Sequence, residues 1–397
     1  MQWATALSSE QNVTAALTEL KRHLGQQLGQ RSPDLLITFL TSHYMDGLGK
    51  VPELIRDHFA PRTSIGCTAS GVVGGGHEVE QKPGIAMVAA ALPDVDIHSF
   101  HLNAGDLPDL DSAPDNWVEL MGVSPATTPH FLLLVDPAGS GGAAFDPRPL
   151  LMGLDFAYAH SAKTGGLTSA LEGNVLFLDE TLYNSGCVGL ALSGNIAVDT
   201  IVAQGCRPIG EPLAVTACSG YYLTELDDRP AVEVFLELFH SLTGEDQELC
   251  KRALHIGIAS TELKAELEHG DYLIRDVMKL DHKSNIIAVS DMLRPGQTVQ
   301  FHLRDGASAA RDLDVMLEQY DMTHPPTDSA VAGALLFTCV GRGEGLFGMP
   351  NHDSTRFISR MGDIPMGGFF CGGEFGQVGA STYLHGYTSA FALFKPA

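Results

Sequence analysis

The chain has 397 residues and a formal net charge of −24 at neutral pH. Nucleic acid and anionic lipid surfaces repel so negative a protein, so we expect neither of them as a partner. The seven cysteines include no Cys-x-x-Cys pair, which favours free thiols in a reducing compartment and predicts a cytoplasmic location. No signal-peptide pattern is present, and no uncharged stretch is as long as a membrane span, so we expect neither export nor a membrane role.

The N-terminal part of the chain predicts a helix, then a strand, then a second helix. A capping pattern at residues 8–11 precedes apolar residues at helical spacing, which predicts a helix from near Ser8 to near Gly29. The apolar run 35–40 predicts a strand, and Pro52 suits the first position of the next helix.

A threefold repeat organises most of the sequence. Each copy has a short apolar run, a glycine-rich segment 30 to 36 residues later, and a second apolar run after about 20 more. Buried strands with one intervening helix are typical of this pattern, so the copies predict βαβ-like units. We expect the third copy to pack beside the first two or to line an interdomain cleft. The segments are 35–40, 64–71 and 85–92; 131–135, 162–166 and 187–192; and 335–340, 368–374 and 389–394.

Between the second and third copies the pattern changes. Helices are predicted from Pro230 and from Asp246, and three strand-like runs at 272–277, 286–289 and 298–303 are separated by tight turns, which predicts an antiparallel meander. A further helix is expected from Ala307 to Tyr320.

These elements predict an α/β fold. Its N-terminal half has repeated βαβ-like units with a mostly parallel sheet, and its C-terminal half is α/β with an antiparallel meander. Because one hydrophobic core rarely serves a chain of this length, we expect two domains, 1–220 and 221–397.

The loops after the predicted strands are candidate ligand sites, because ligands of open α/β sheets bind at the carboxyl ends of strands. Ser140 and Gly141 lie in the glycine-rich segment 137–142, whose backbone N–H groups would suit an anionic ligand group, and an ordinary flexible turn explains the segment equally well. The segment 343–348 matches GxGxxG, but Pro350 follows where a dinucleotide-binding helix would run. The histidines at 98 and 101 lack the context of a metal site, so we expect no metal and no cofactor.

Glu374 directly follows an apolar run, where a carboxylate is costly to bury without a partner. Either Arg342 or Arg304 forms an ion pair with it, or it receives the amino group of a ligand; His385 is a candidate hydrogen-bond donor. A cysteine hydrolase is the enzymatic alternative, with Cys67 or Cys371 as nucleophile, His385 as base and Glu374 as orienting group. Simple packing of small residues at strand ends is the competing interpretation of both cysteines.

Several segments together resemble the FIST family, a sensory-domain family with an N-terminal and a C-terminal module. The resemblance covers about the whole chain and is most specific in the last two segments. The segments are Ile65-Gly66-Cys67-Thr68-Ala69-Ser70-Gly71-Val72, Tyr272-Leu273-Ile274-Arg275, Val299-Gln300-Phe301-His302-Leu303-Arg304-Asp305, Gly368-Phe369-Phe370-Cys371-Gly372-Gly373-Glu374-Phe375-Gly376 and Leu384-His385-Gly386-Tyr387-Thr388.

The resemblance implies a small-ligand sensor in intracellular signal transduction, with amino acids or related polar metabolites as the ligand class. We recognise no output segment such as an F-box, a kinase or a cyclase, so we expect the signal to pass to a partner protein or through homo-oligomerisation. The alternatives are the cysteine-dependent hydrolase or transferase and a scaffold without a ligand. The predicted ligand site, in an interdomain cleft, comprises Gly66, Cys67, Ser70, Ser140, Gly141, Arg342, Cys371, Glu374 and His385.

Overall fold

The computed structural model describes residues 1–29, 31–139, 144–171, 173–261, 267, 270–324 and 330–397. These residues form two compact units. The three-repeat unit comprises Met1–Val202 and Met316–Ala397, and the inserted unit comprises Ala203–Val315. This spatial division differs from the predicted sequence division at residue 220, which stays a prediction about modules of the chain.

The first repeat has two helices and six strands, with a 3₁₀ helix at Ser42–Lys50. Its elements are β1 Gln2–Ser8, α1 Val13–Leu28, β2 Leu35–Thr41, α2 Val51–Phe59, β3 Thr63–Ala69, β4 Gly71–Gly74, β5 His77–Glu80 and β6 Ile85–Ala91. The second repeat follows the same order. Its elements are β7 Val95–Leu102, α3 Pro114–Met121, β8 His130–Asp136, α4 Pro147–Ala157, β9 Lys163–Leu167, β10 Leu176–Leu178, β11 Thr181–Tyr183 and β12 Gly186–Gly194.

The third repeat is interrupted in sequence by the inserted unit. It begins with β13 Ala197–Ala203. The next elements are β14 Arg207–Ser219, β15 Tyr222–Leu226, β16 Arg229–Pro230, α5 Ala231–Ser241, α6 Gly244–Ala253, β17 Leu254–Ala259, β18 Tyr272–Asp281, β19 Ile286–Val289, β20 Thr298–Leu303 and α7 Gly306–Thr323. The repeat then continues with β21 Gly333–Cys339, α8 Glu344–Phe347, α9 His352–Met361, β22 Met366–Cys371, β23 Glu374–Val378, β24 Ser381–His385 and β25 Ser389–Lys395.

Helix α1 shows how local sequence sets the element bounds. Asn12 caps it, because the Asn12 side chain accepts hydrogen bonds from the backbone N–H groups of Thr14 and Ala15. It ends at Gly29, which adopts the left-handed conformation that glycine tolerates best. The predicted start near Ser8 is wrong, because Ser8 is the last residue of β1.

The three predicted repeats and the α/β class are confirmed. In each repeat the first two predicted strands form a parallel pair with a helix between them: β2 with β3, β8 with β9, and β21 with β22. The third predicted strand, β6, β12 or β25, is antiparallel to the first. The sheets are therefore mixed instead of mostly parallel, because only the first connection contains the crossover helix that a parallel pair requires.

Each repeat completes the sheet of another repeat. The hairpin β10–β11 of the second repeat extends the first sheet at β3, and β23–β24 of the third extends the second sheet at β9. The hairpin β4–β5 of the first repeat extends the third sheet at β22. This cyclic exchange places the third copy beside the first two, which is one of its two predicted positions.

The inner faces of the three sheets share one hydrophobic core. Phe39, Leu134 and Phe337, one from each repeat, are all fully buried in it. Phe369 stacks on Phe39 with ring centroids 4.8 Å apart. Burying such a side chain contributes about 1.5–3 kcal/mol, so this shared core is a main source of the cohesion between the repeats.

The inserted unit has its own core, and its sheet closes on itself because β14 pairs with both β20 and β15. The predicted meander is present, but its strands are β17, β18 and β19. The third predicted strand, β20, lies instead between β14 and β17.

Candidate functional site

The carboxyl ends of the parallel strands carry a group of polar residues on the inner faces of the sheets and in the adjoining loops. We name it the central polar site. Asp136 ends β8, while Thr168 and Ser169 directly follow β9. The full group consists of Ser70, Asp136, Thr168, Ser169, Asn174, Glu374 and Thr388.

Contacts at Ser169 join all three repeats. The backbone N–H of Ser70 donates to Ser169 Oγ at 3.0 Å, and the two hydroxyl oxygens are 3.2 Å apart. The Ser169 hydroxyl in turn donates to the carbonyl oxygen of Phe370. Since Ser70, Ser169 and Phe370 come from the first, second and third repeats, the site exists only when all three are assembled.

Asp136 is fully buried, and only one of its carboxylate oxygens has a hydrogen-bond partner among the described residues. Oδ1 accepts from the Ala138 backbone at 3.0 Å and from Asn174 Nδ2 at 3.1 Å. Asn174 is itself fixed, because its Oδ1 accepts from the Ala170 backbone at 3.0 Å. Oδ2 remains without a partner in the part of the chain that the structure describes, although a buried carboxylate oxygen normally has one.

Thr168 repeats this feature on the adjacent strand end. Its backbone N–H donates to the carbonyl oxygen of Val135 at 2.8 Å, which holds it next to Asp136. The residue is 3 % exposed, and its Oγ1 has no hydrogen-bond partner among the described residues. Asp136 and Thr168 are thus the buried residues of the site, and we name the half-buried residues Ser70, Ser169 and Asn174 its rim.

Glu374 adds a second buried carboxylate on the same sheet. Its Oε2 accepts from the Thr388 hydroxyl at 2.7 Å and from the Thr388 backbone at 3.2 Å. Glu374 lies opposite Gly166 on β9, and β9 separates it from β8, which carries Asp136. Asp136 lies two residues beyond Leu134, the β8 residue opposite Gly166, so the Cα atoms of Glu374 and Asp136 are roughly 12 Å apart by strand and residue spacing.

Corresponding positions in the three repeats differ at Asp136. Gly66, Gly165 and Gly368 correspond, because a Cβ on each would lie within 2.2 Å of a carbonyl oxygen of the first strand, at 2.1, 1.8 and 1.8 Å respectively. On the first strands, the residues opposite these glycines are Thr38, Leu133 and Leu336. Three residues after each come Thr41, Asp136 and Cys339, which therefore correspond. Thr41 Oγ1 already accepts from the Gly84 backbone at 3.1 Å, so the buried charge is a property of the second repeat.

Two models of protein families match the chain. The FIST N domain model matches residues 34–229, and the FIST C domain model matches residues 231–377. The chain belongs to the FIST family. FIST domains are associated with sensory signal transduction.

Mycobacterial proteins are among those similar in sequence to this FIST protein. An uncharacterised protein of Mycobacterium tuberculosis is 34% identical over 401 residues, which covers 99% of this chain and 100% of that protein. An uncharacterised protein of Mycobacterium bovis is 32% identical over 390 residues, covering 96% and 95%. Among solved structures, a cyanuric acid hydrolase from A. caulinodans shares 7% identity and covers 99% of both chains, with a TM-score of 0.36. A TM-score this low does not bear on function.

The structure brings four of the predicted site residues of the FIST protein into one neighbourhood. Ser70 lies on the rim, and Glu374 pairs across the β23–β24 hairpin with His385. His385 Nε2 donates to the carbonyl oxygen of Gly376 at 3.0 Å. Cys371 ends β22, three residues before Glu374, and its thiol donates to the carbonyl oxygen of Phe369 at 3.5 Å.

Neither predicted nucleophile has the surroundings of a reactive cysteine. Cys67 and Cys371 are fully buried in the shared core. Burial raises the pKa of both thiols well above the usual range, and the nearby Glu374 carboxylate raises the pKa of Cys371 further. Because the thiolate is the reactive form, these features favour packing over nucleophilic catalysis.

The remaining predicted residues have other surroundings. Gly66 is packed so closely that a Cβ there would lie 2.1 Å from the Phe177 ring. Arg342 binds Asp353 through two hydrogen bonds of 2.7 and 2.9 Å. Ser140 and Gly141 lie outside the described residues.

Sequence reasoning missed Asp136, Thr168, Ser169 and Asn174. A signal for Asp136 was available, since it directly follows five apolar residues, as Glu374 follows its own apolar run. The described residues contain no group of three or more His, Cys, Asp or Glu side chains suited to a metal ion. Among them, too, no helix combines the length and apolar character needed to cross a bilayer.

Proposed function

We propose that this FIST protein is a sensor that reversibly binds a small polar metabolite at the central polar site, without bond chemistry. The ligand presents a protonated amino group to Asp136, as an amino acid or a related amine does. The buried Asp136 Oδ2, which lacks a partner among the described residues, is the observation that carries this proposal.

The energetic argument concerns that oxygen. An unsatisfied buried polar group costs about 1–3 kcal/mol, and more when it is charged. An ammonium group has three donors and a positive charge, so it would satisfy Asp136 Oδ2 and leave a donor for Thr168 Oγ1. Glu374 makes the same inner face more negative, which favours a cationic ligand group over an anionic one.

The rim completes the proposed recognition. The Ser169 hydroxyl already donates to the Phe370 carbonyl oxygen and accepts from the Ser70 backbone. The half-buried Ser70 hydroxyl oxygen, which Ser169 holds in place, is therefore the rim group that would accept a hydrogen bond from the rest of a polar ligand. Because these residues come from different repeats, a bound ligand would strengthen the contact between them. A ligand-dependent contact between structural elements is a signal that a partner protein can read.

A thermal-shift screen with free amino acids and small amines tests the proposal. We expect saturable stabilisation of the native protein and loss of that stabilisation in Asp136→Asn. N-acetylation of the bound compound should abolish its binding, because acetylation removes the positive charge. The exposed Asp109→Asn is the matched control and should bind as the native protein does.

Other results would contradict the proposal in different ways. Full stabilisation of Asp136→Asn by the ligand would show that the site is elsewhere. Consumption of the compound, followed by mass spectrometry, would favour an enzyme. No stabilisation by any amine would favour a scaffold.

A further inference from the structure

The first repeat is held on the third by carboxylates that bind backbone N–H groups. Glu78 Oε1 accepts from the Ser354 backbone at 2.7 Å, and the Glu78 backbone donates to Asn351 Oδ1 at 2.7 Å. Glu80 Oε1 accepts from the Glu344 backbone at 2.9 Å. We name this contact between β5 and the starts of α8 and α9 the carboxylate clasp.

The close approach of Glu80 explains one glycine of the GxGxxG segment. A Cβ on Gly343, which has a φ of 73°, would lie 2.3 Å from the Glu80 carboxylate. The loop that resembles a nucleotide-binding segment is therefore occupied by a side chain of the protein itself.

A third carboxylate lies beside the clasp. Asp353 is fully buried and is bound by Arg342, by His352 Nδ1 at 2.9 Å and by the Thr338 hydroxyl at 2.9 Å. Burial opposes its ionisation, but the Arg342 charge and the hydrogen bonds from His352 and Arg342 outweigh burial and hold the pKa of Asp353 well below its usual range. Asp353 therefore stays negative next to Glu78.

Glu78 is in the opposite situation. Its side chain is buried, and the residue is 8 % exposed. Burial, followed by repulsion from Asp353, raises the pKa of Glu78 from 4.5 to about 7 despite the hydrogen bond from Ser354. The other titratable or charged side chains on the packed elements are Glu80 and His77 on β5, Glu344 on α8, and His352, Arg356 and Arg360 on α9.

We propose that the carboxylate clasp takes up a proton at Glu78 when it closes and releases that proton when it opens, so that a rise in pH loosens the hold of the first repeat on the third. In the closed clasp, neutral Glu78 still accepts the hydrogen bond from Ser354 through its carbonyl oxygen and no longer repels Asp353. In the open clasp, Glu78 is in water and ionises as an ordinary glutamate does.

The direction of this pH dependence follows from the linkage between proton binding and closure of the clasp. Because the pKa of Glu78 is higher in the closed state, its contribution to closure is fully present below about pH 4.5 and is lost as the pH rises to about 7. Above that pH both states are ionised, and no further change is expected from this group.

Hydrogen exchange at the backbone amides of Ser354 and Glu344 tests the proposal in the intact protein without any ligand. After correction for intrinsic exchange, we expect protection in the native protein to fall by about tenfold per pH unit between pH 5 and 7 and then to level off. Glu78→Gln should remove this dependence, because its amide cannot ionise. The exposed Glu119→Gln is the matched control and should behave as the native protein does.

Either of two exchange results would overturn the proposal: native protection that does not depend on pH, or a dependence that persists in Glu78→Gln, which would place the proton on another group such as His352 or Glu80. Carbon NMR titration of the Glu78 carboxyl in the native protein gives an independent measurement that needs no variant. A midpoint near 7 is expected, and a midpoint near 4.5 would contradict the proposal.

Discussion

Asp136, at the end of β8, and Asp353, in the first turn of α9, are both fully buried aspartates, yet their surroundings differ. Both oxygens of Asp353 are bonded, to Arg342, His352 and Thr338. Asp136 has partners on one oxygen only among the described residues. A satisfied buried charge serves the fold, whereas one that is left partly unsatisfied indicates a place where something else binds.

The largest expected loss of stability is at Asp353, the aspartate with partners on both oxygens. Asp353→Ala leaves the Arg342 guanidinium buried without its carboxylate, and breaking a buried pair in this way costs about 3–5 kcal/mol of unfolding free energy. Urea unfolding at pH 7 measures the loss. Arg360→Ala, which breaks the partly exposed contacts with Glu318 and Asp321, is the control and should cost less than about 1 kcal/mol.

The pH dependence of this first effect can also be predicted. The pKa of Asp353 is lowered by folding, so its contribution is present above its ordinary value of 3.8 and is lost as the pH falls below that value. The stability difference between the native protein and Asp353→Ala should therefore shrink below pH 4. A difference that stays constant down to pH 3 would refute the assignment of the effect to charge.

A smaller loss of stability is expected for a substitution at Gly166, which lies on β9 between the strands that carry Glu374 and Asp136. In Gly166→Ala the new Cβ would lie 2.7 Å from Cys371 Sγ and 2.9 Å from the Gly373 carbonyl oxygen. Overpacking of this kind costs about 1–3 kcal/mol and would move Glu374 relative to Asp136. Gly345→Ala has open space around its Cβ and serves as the control. Equal melting temperatures for the two variants would contradict this packing.

The smallest change in stability is expected for Asp136→Asn. The substitution removes a buried charge that is only partly satisfied, so the unfolding free energy should stay within about 1 kcal/mol of the native value or rise. Denaturant unfolding of the ligand-free protein measures it. A loss as large as that of Asp353→Ala would mean that Asp136 serves the fold, and the comparison between the two aspartates would then fail.

The sequence predicted the repeats because each parallel strand is a continuous apolar run, such as Leu132–Val135, that is buried on both faces. The hairpin exchange was not predictable, because β10 and β11 have three residues each and their partners lie in another repeat. The predicted importance of Glu374 came from the cost of burying a carboxylate. Its hydrogen-bond partner, Thr388, could not be predicted, because a contact between residues 14 apart depends on how the fold places β23 and β25.

The cyclic hairpin exchange also sets the number of repeats. Each repeat gives away a hairpin and needs one in return, so a chain with two of these repeats in the same geometry would leave one hairpin without a sheet and one sheet with an uncovered edge. Uncovered edges invite pairing with other chains. Insertions inside a repeat are tolerated, as residues 203–315 show, but loss of a whole repeat is not expected to be. With three repeats every hairpin thus has a sheet to join. A repeat can therefore be lengthened by insertion more easily in evolution than a repeat can be removed.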